Sequence, residues 1–197
     1  MPHRWIADMS HELTPSQTVG PYLHIGLDWL NTRDLAPSSV QGERITLHGR
    51  LLDADGQPVP DGIIELWQAN AHGKYAHPAD TRDLPVEDEF RGFGRQPTDQ
   101  RGEFVFTTIK PGAVPAVDGQ LQAPHILVNI FARGLLRQLV TRLYFPGDDH
   151  ASDPVMRVIP QARQKTLIAV AQADDPSHLQ WNIVIGGGAD ETVFFDL

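Results

Sequence analysis

The chain has 197 residues, 41% apolar and 21% charged, with a formal net charge of −9 and no cysteine. That length sustains one domain with a sizeable core, and the acidic balance argues against nucleic acid or an anionic membrane surface as a partner. The missing cysteines exclude disulfides, thiolate chemistry and Cys-based zinc or iron–sulfur sites.

Residues 1–43 read as an N-terminal arm and interface segment. MPHRWIADMSHEL lacks a continuous apolar stretch and a small-residue cleavage site, so no leader peptide is expected and a cytoplasmic location follows. TPSQTVGPY carries two prolines and a glycine, which suit extended or turn backbone. PYLHIGLDWLN has room for a turn of helix, and TRDLAPSSVQGE is polar and loop-like.

From Arg44 the period changes to that of strands. Residues 44–52, 63–68, 103–109, 125–132, 137–145, 181–185 and 192–195 are the expected strands, separated by turns such as DADGQP and DQRG. Residues 76–89 have no period and read as a long surface loop. Pro160 to Val170 reads as a short helix. Many short strands between Gly, Pro and Asp turns predict a mostly β, single-domain β-sandwich over 44–197, with one or two short helices.

Common chemical motifs are absent. None of the nine histidines forms a His-x-x-x-His pair, and no serine sits in a Gly-x-Ser-x-Gly setting. DADGQPV starts like a calcium loop, but its glycine comes too early and no glutamate follows in place. One constellation remains, formed by GKY at 73–75, TTIKPG at 107–112, and QAPHILVNIFARG at 122–134 running into TRLYFPGD. A strand bearing His-x-His would put both imidazoles on one face, yet His125 is followed two residues on by Leu127.

Together with TPSQTVGPY and the terminal ETVFFDL, these motifs resemble the intradiol ring-cleaving dioxygenases over about residues 14–197. Members hold a non-haem Fe(III) with two tyrosines and two histidines, a hard cation turning tyrosine into phenolate. Carried over residue by residue, the four ligand positions are Tyr75, Val114, His125 and Leu127, so two of the four are lost. The arginine that members carry three residues before the first histidine is Gln122 here. The resemblance therefore implies a chain without metal or catalytic residues of its own, in a hetero-oligomer whose homologous beta chain holds the Fe(III). The substrates it implies are protocatechuate and O2, converted to 3-carboxy-cis,cis-muconate in the β-ketoadipate route of aromatic degradation. By the same resemblance, Thr18, Gly20, Pro21, Tyr22 and Arg133 line the shared substrate pocket, Arg133 against the substrate carboxylate. The bland alternatives are ordinary arm structure and a surface ion pair. A self-sufficient homo-oligomeric enzyme acting on a catechol, and a non-catalytic β-sandwich interaction module, are the rival readings of the whole chain.

Overall fold

The computed structural model describes residues 14–196, so the first thirteen residues, read above as carrying no leader, lie outside it. Tyr22–Ile25 form a helical turn, α1, and Asp28–Leu30 a 3-10 turn. The strands follow in chain order as β1 (Arg44–Asp53), β2 (Ile63–Trp67), β3 (Phe93–Pro97), β4 (Glu103–Ile109), β5 (Val114–Pro115), β6 (Leu121–Gln122), β7 (His125–Phe131) and β8 (Leu139–Tyr144). A helical turn, α2 (Gln161–Gln164), precedes β9 (Val170–Ala171), β10 (His178–Gln180) and β11 (Ile183–Ile185). The chain is mostly β, as its patterning predicts.

Two sheets face each other. In one, β1 pairs antiparallel with β4 on one side and parallel with β10 and β11 on the other, and β9 lies beyond β10. The second is an antiparallel sheet in the order β3-β2-β7-β8. Alternation sorts the side chains: Leu47, Leu51, Phe104 and Phe106 meet Ile64, Leu66, Ile126, Val128 and Ile130 in the core between them. The other face of the second sheet carries Trp67, His125, Leu127, Arg142 and Tyr144. Loop 69–90, the β5–β6 hairpin and the segment from Phe145 to Leu167 run beyond that sheet, and a second cluster of Tyr144, Met156, Ile159 and Leu167 seals part of it.

Several elements differ from the sequence-based expectation. The helix expected over 160–170 is only one α turn and a 3-10 turn, Lys165–Leu167. Thr166, Ile168 and Val170 are β-branched, and Ala169 N–H donates to the Tyr144 carbonyl at 3.0 Å, drawing the chain into extended backbone. The strand expected at 192–195 is reduced to one bridge, Phe195 to Val140, while Val193 and Phe195 pack on the second cluster. The strand expected over 181–185 is split, because Trp181 turns into the core and the Asn182 side-chain oxygen accepts from Arg50 N–H in place of a backbone partner. The polar segment 32–43 is irregular, yet Leu35 is fully buried in the core. The turns at Asp53 and Asp99 share one device, a carboxylate accepting from the backbone two and four residues on.

Candidate functional site

Two concave regions are relevant, and different elements build them. The first lies over the outer face of β2, β7 and β8. Its cleft, of about 450 Å³, is lined by Trp67, Tyr75, His77, Asp80, Arg82, Val114 and Pro115 among others. Asn70 organises the GKY turn beneath it. Its side-chain oxygen accepts from His72 and Lys74 N–H, both at 3.0 Å, and its carbonyl accepts from Gly73 N–H. Gly73 has φ +76°, and a Cβ there would stand 2.2 Å from the Ala113 carbonyl oxygen, so only glycine lets the GKY turn and the KPG turn approach. That approach places Tyr75 and Val114 in one cleft. Tyr75 stacks on Trp67, with centroids 5.8 Å apart and planes 7° from parallel.

Arg82 forks onto Asp80 at 2.9 and 2.6 Å, and Tyr75 N–H donates to the same carboxylate at 2.9 Å. These bonds, the Arg82 fork foremost, hold the Asp80 carboxyl well below the usual carboxylate range. A group depressed in the folded state adds stability above its unfolded pKa and loses it as pH falls through the folded value. The destabilisation caused by Asp80→Asn is therefore expected to be large near neutrality and to shrink as pH drops below about 4. Thermal melts of both proteins against pH check this, and a gap of constant size would refute the assignment.

His125 is 6% exposed, and its Nδ1–H donates to the Ala123 carbonyl at 2.8 Å. Burial, then the nearby Arg142 cation, lower its pKa to about 4, so the ring is neutral. Burial raises Tyr75, which is a neutral phenol near pH 7. Arg142 was not a candidate on the sequence. It lies directly across from Leu127 in the β7–β8 register, and its Nη1 donates to Gln122 Oε1 at 2.7 Å and to the Tyr144 hydroxyl at 3.4 Å. Lys110 of the KPG turn pairs with Asp148 of the FPGD turn at 2.6 Å, which accounts for both motifs as structure.

The second region is a cleft of about 340 Å³ between the arm and the end of β7, lined by Val19, Gly20, Pro21, Leu23, Ile25, Asp61, Ile63 and Arg133. The fold thus brings Gly20 and Pro21 together with Arg133. Thr18 does not line this cleft. Its hydroxyl accepts from Gly134 N–H at 2.7 Å and reaches the Ala132 carbonyl at 3.5 Å, clamping the arm to the turn that carries Arg133. A Cβ at Gly20 would meet nothing within 4 Å, so nothing in this chain crowds that position. Tyr22 is 81% exposed and outside the lining. Among the described residues Arg133 makes no ion pair, whereas Arg95 reaches Leu23 O at 3.2 Å and steadies α1. Asp61, with φ 61°, shares the cleft with Arg133 and carries no motif signal in the sequence.

Comparison with known proteins decides what kind of scaffold this is. A dioxygenase family model matches residues 29–187. The chain belongs to the intradiol dioxygenase family. It is 42% identical over 198 residues to the protocatechuate 3,4-dioxygenase alpha chain of Pseudomonas putida, covering 93% of this chain and 96% of that one. It is 43% identical over 131 residues to the beta chain of the Burkholderia cepacia enzyme, covering 65% of this chain and 56% of that one. Among solved structures, the dioxygenase domain of a dioxygenase carbohydrate-binding protein fusion from Streptomyces sp. SirexAA-E superposes with a TM-score of 0.61 at 26% identity, covering 80% of this chain and 89% of that domain.

Membership in the intradiol dioxygenase family implies iron, and the donor set tests whether these residues fit it. They do not. Val114 and Leu127 offer no donor, which leaves one tyrosine and one histidine, Tyr75 and His125. One prospective phenolate and one imidazole are half of the donor set and a poor match for Fe(III), which favours anionic oxygen. No helix among the described residues is long and apolar enough to cross a membrane.

Proposed function

We propose that this chain is the non-iron alpha chain of a protocatechuate 3,4-dioxygenase. It works with a homologous beta chain that binds Fe(III) and inserts O2 into protocatechuate in the cytoplasm. The observation that carries the reading is the donor set: of the four ligand positions Val114 and Leu127 offer no donor, and the residue across from Leu127 is Arg142, bonded to Gln122. The similarity to alpha and beta chains alike supports a hetero-oligomer of related sandwiches.

The work left to this chain is to build a wall of its partner's pocket. The cleft between arm and strand end is suited to it. Val19, Pro21 and Ile63 give an apolar wall, the open backbone at Gly20 admits a flat ring closely, and Arg133 offers a cation to a ring carboxylate. Thr18 fixes the geometry through the backbone on either side of Arg133 rather than by touching the ligand.

Metal analysis tests the assignment. The chain expressed alone is expected to carry no stoichiometric iron and no visible tyrosinate-to-iron band. Co-expressed with an intradiol beta chain, it is expected to co-purify in a coloured, active complex. Iron bound by the lone chain sinks the proposal in favour of a self-sufficient enzyme, and failure to co-purify favours an interaction module.

A further inference from the structure

Asp61 is the one non-glycine residue with left-handed backbone among the described residues, at φ 61°. That conformation costs an aspartate free energy, and it persists where neighbouring bonds over-determine it, commonly beside a ligand. Thr98 supplies the bonds. Its hydroxyl donates to the Val59 carbonyl and accepts from Gly62 N–H, both at 2.8 Å, and its own N–H donates to the Gly62 carbonyl at 2.8 Å. Glycine stands one residue later, at 62, where a Cβ would lie 2.6 Å from Leu51 Cδ2. The left-handed position, which glycine fits best, holds an acid instead. The turn makes no use of that acid. The carboxylates of Asp53 and Asp99 cap their own turns, whereas the Asp61 side chain accepts no hydrogen bond and makes no ion pair among the described residues.

What Asp61 does share is the cleft between the arm and the end of β7. Asp61 and Arg133 are the two charged residues of its lining, and the rest is apolar or glycine. We propose that Asp61 is a specificity-determining residue: its carboxylate limits the cleft to rings with one carboxylate, which Arg133 binds, and repels a ring with two. Arg133 alone would favour the more highly charged ring, since attraction grows with the ligand's charge. An opposing carboxylate in the same cleft cancels that advantage while the Arg133 fork still rewards one well-placed carboxylate. Both residues are exposed in the lone chain, so their charges act at full strength only where the partner subunit's surface excludes water.

The inference rests on the reading that this cleft takes the ring carboxylate of the substrate, and the two are tested separately. Inhibition of the assembled alpha–beta complex is measured with phenol, 3-hydroxybenzoate and 5-hydroxyisophthalate, rings that carry no, one and two carboxylates. Asp61→Asn keeps a residue tolerant of left-handed backbone. It is expected to leave phenol unchanged, to tighten 3-hydroxybenzoate roughly threefold and to tighten 5-hydroxyisophthalate roughly tenfold, because the repulsion removed counts once for each carboxylate. Asp61→Gly should show the same grading and melt within about 4 °C of the parent. Equal tightening of all three ligands, or no change for the two anions, overturns the proposal. So does a larger fall in melting temperature for the glycine variant, which would make Asp61 a turn residue. Arg133→Ala in the same complex tests the underlying reading, and weaker binding of both anions is expected. Anions indifferent to Arg133→Ala would remove the carboxylate site from this cleft, and the role of Asp61 with it. Anions that respond to Arg133→Ala but not to Asp61→Asn would overturn the role of Asp61 alone.

Discussion

Arg133→Ala in the assembled complex is expected to raise KM for protocatechuate about 10- to 100-fold, the equivalent of one charge-assisted hydrogen bond. The turnover number should change far less. The proposed contact is to a carboxylate remote from the carbons that react, so it would hold ground state and transition state alike, and losing such uniform binding appears in KM. Arg133 is exposed at the rim of its cleft, and the full effect requires the partner surface to exclude water there. Arg133→Lys should recover part of the loss, having the charge without the planar fork. A catechol without a carboxylate supplies the control, since its KM should be insensitive to the substitution. Unchanged kinetics on protocatechuate would remove Arg133 from the substrate site. Thr18→Val should act in the same direction more weakly, because it releases the turn at Gly134 without removing the cation.

The largest stability effect is expected at Asp153, a fully buried carboxylate serving as a hub. One oxygen accepts from Val155 and Met156 N–H, both at 2.8 Å, and from the Tyr144 hydroxyl at 3.3 Å, while the other accepts from Ala123 N–H at 2.7 Å. These bonds tie the residue two before His125 to the start of the segment that covers β8. Asp153→Ala leaves those donors buried without an acceptor and should destabilise by about 3–5 kcal/mol. In a chain of this size that is a fall in Tm of roughly 10 °C. Asp153→Asn should cost less, since an amide oxygen can still serve part of the set. A melting temperature within about 2 °C of the parent for the alanine variant would show that the hub carries little.

The parts of the molecule legible in the sequence are those with a local cause. β1, β4 and β7 announce themselves through alternating apolar and β-branched residues, and the GKY and KPG turns through their glycines. β3 does not, because Gly94 and Pro97 give its five residues the composition of a loop, and its place at the sheet edge comes from pairing with β2. Leu35 sits in a polar stretch and enters the core only because strand pairing leaves it a gap. The cleft near Gly20, Pro21 and Arg133 was readable through motifs far apart in the chain. Asp61 was not, since it reads as the second residue of a Pro-Asp-Gly turn. Arg142 is the instructive omission. A lone charge in a strand normally faces solvent, and only the pairing of Leu127 with Arg142 reveals that this one is bonded to Gln122 and Tyr144 on the covered face of the sheet.

β1 receives both of its parallel neighbours, β10 and β11, from residues 178–185. During synthesis, one edge of β1 has nothing to bond with until more than a hundred further residues have left the ribosome. Contacts so distant along the chain close slowly, and an open strand edge is a template for another chain. Premature termination upstream of His178 would leave that edge permanently bare, so truncated products should aggregate rather than accumulate as smaller folded sandwiches.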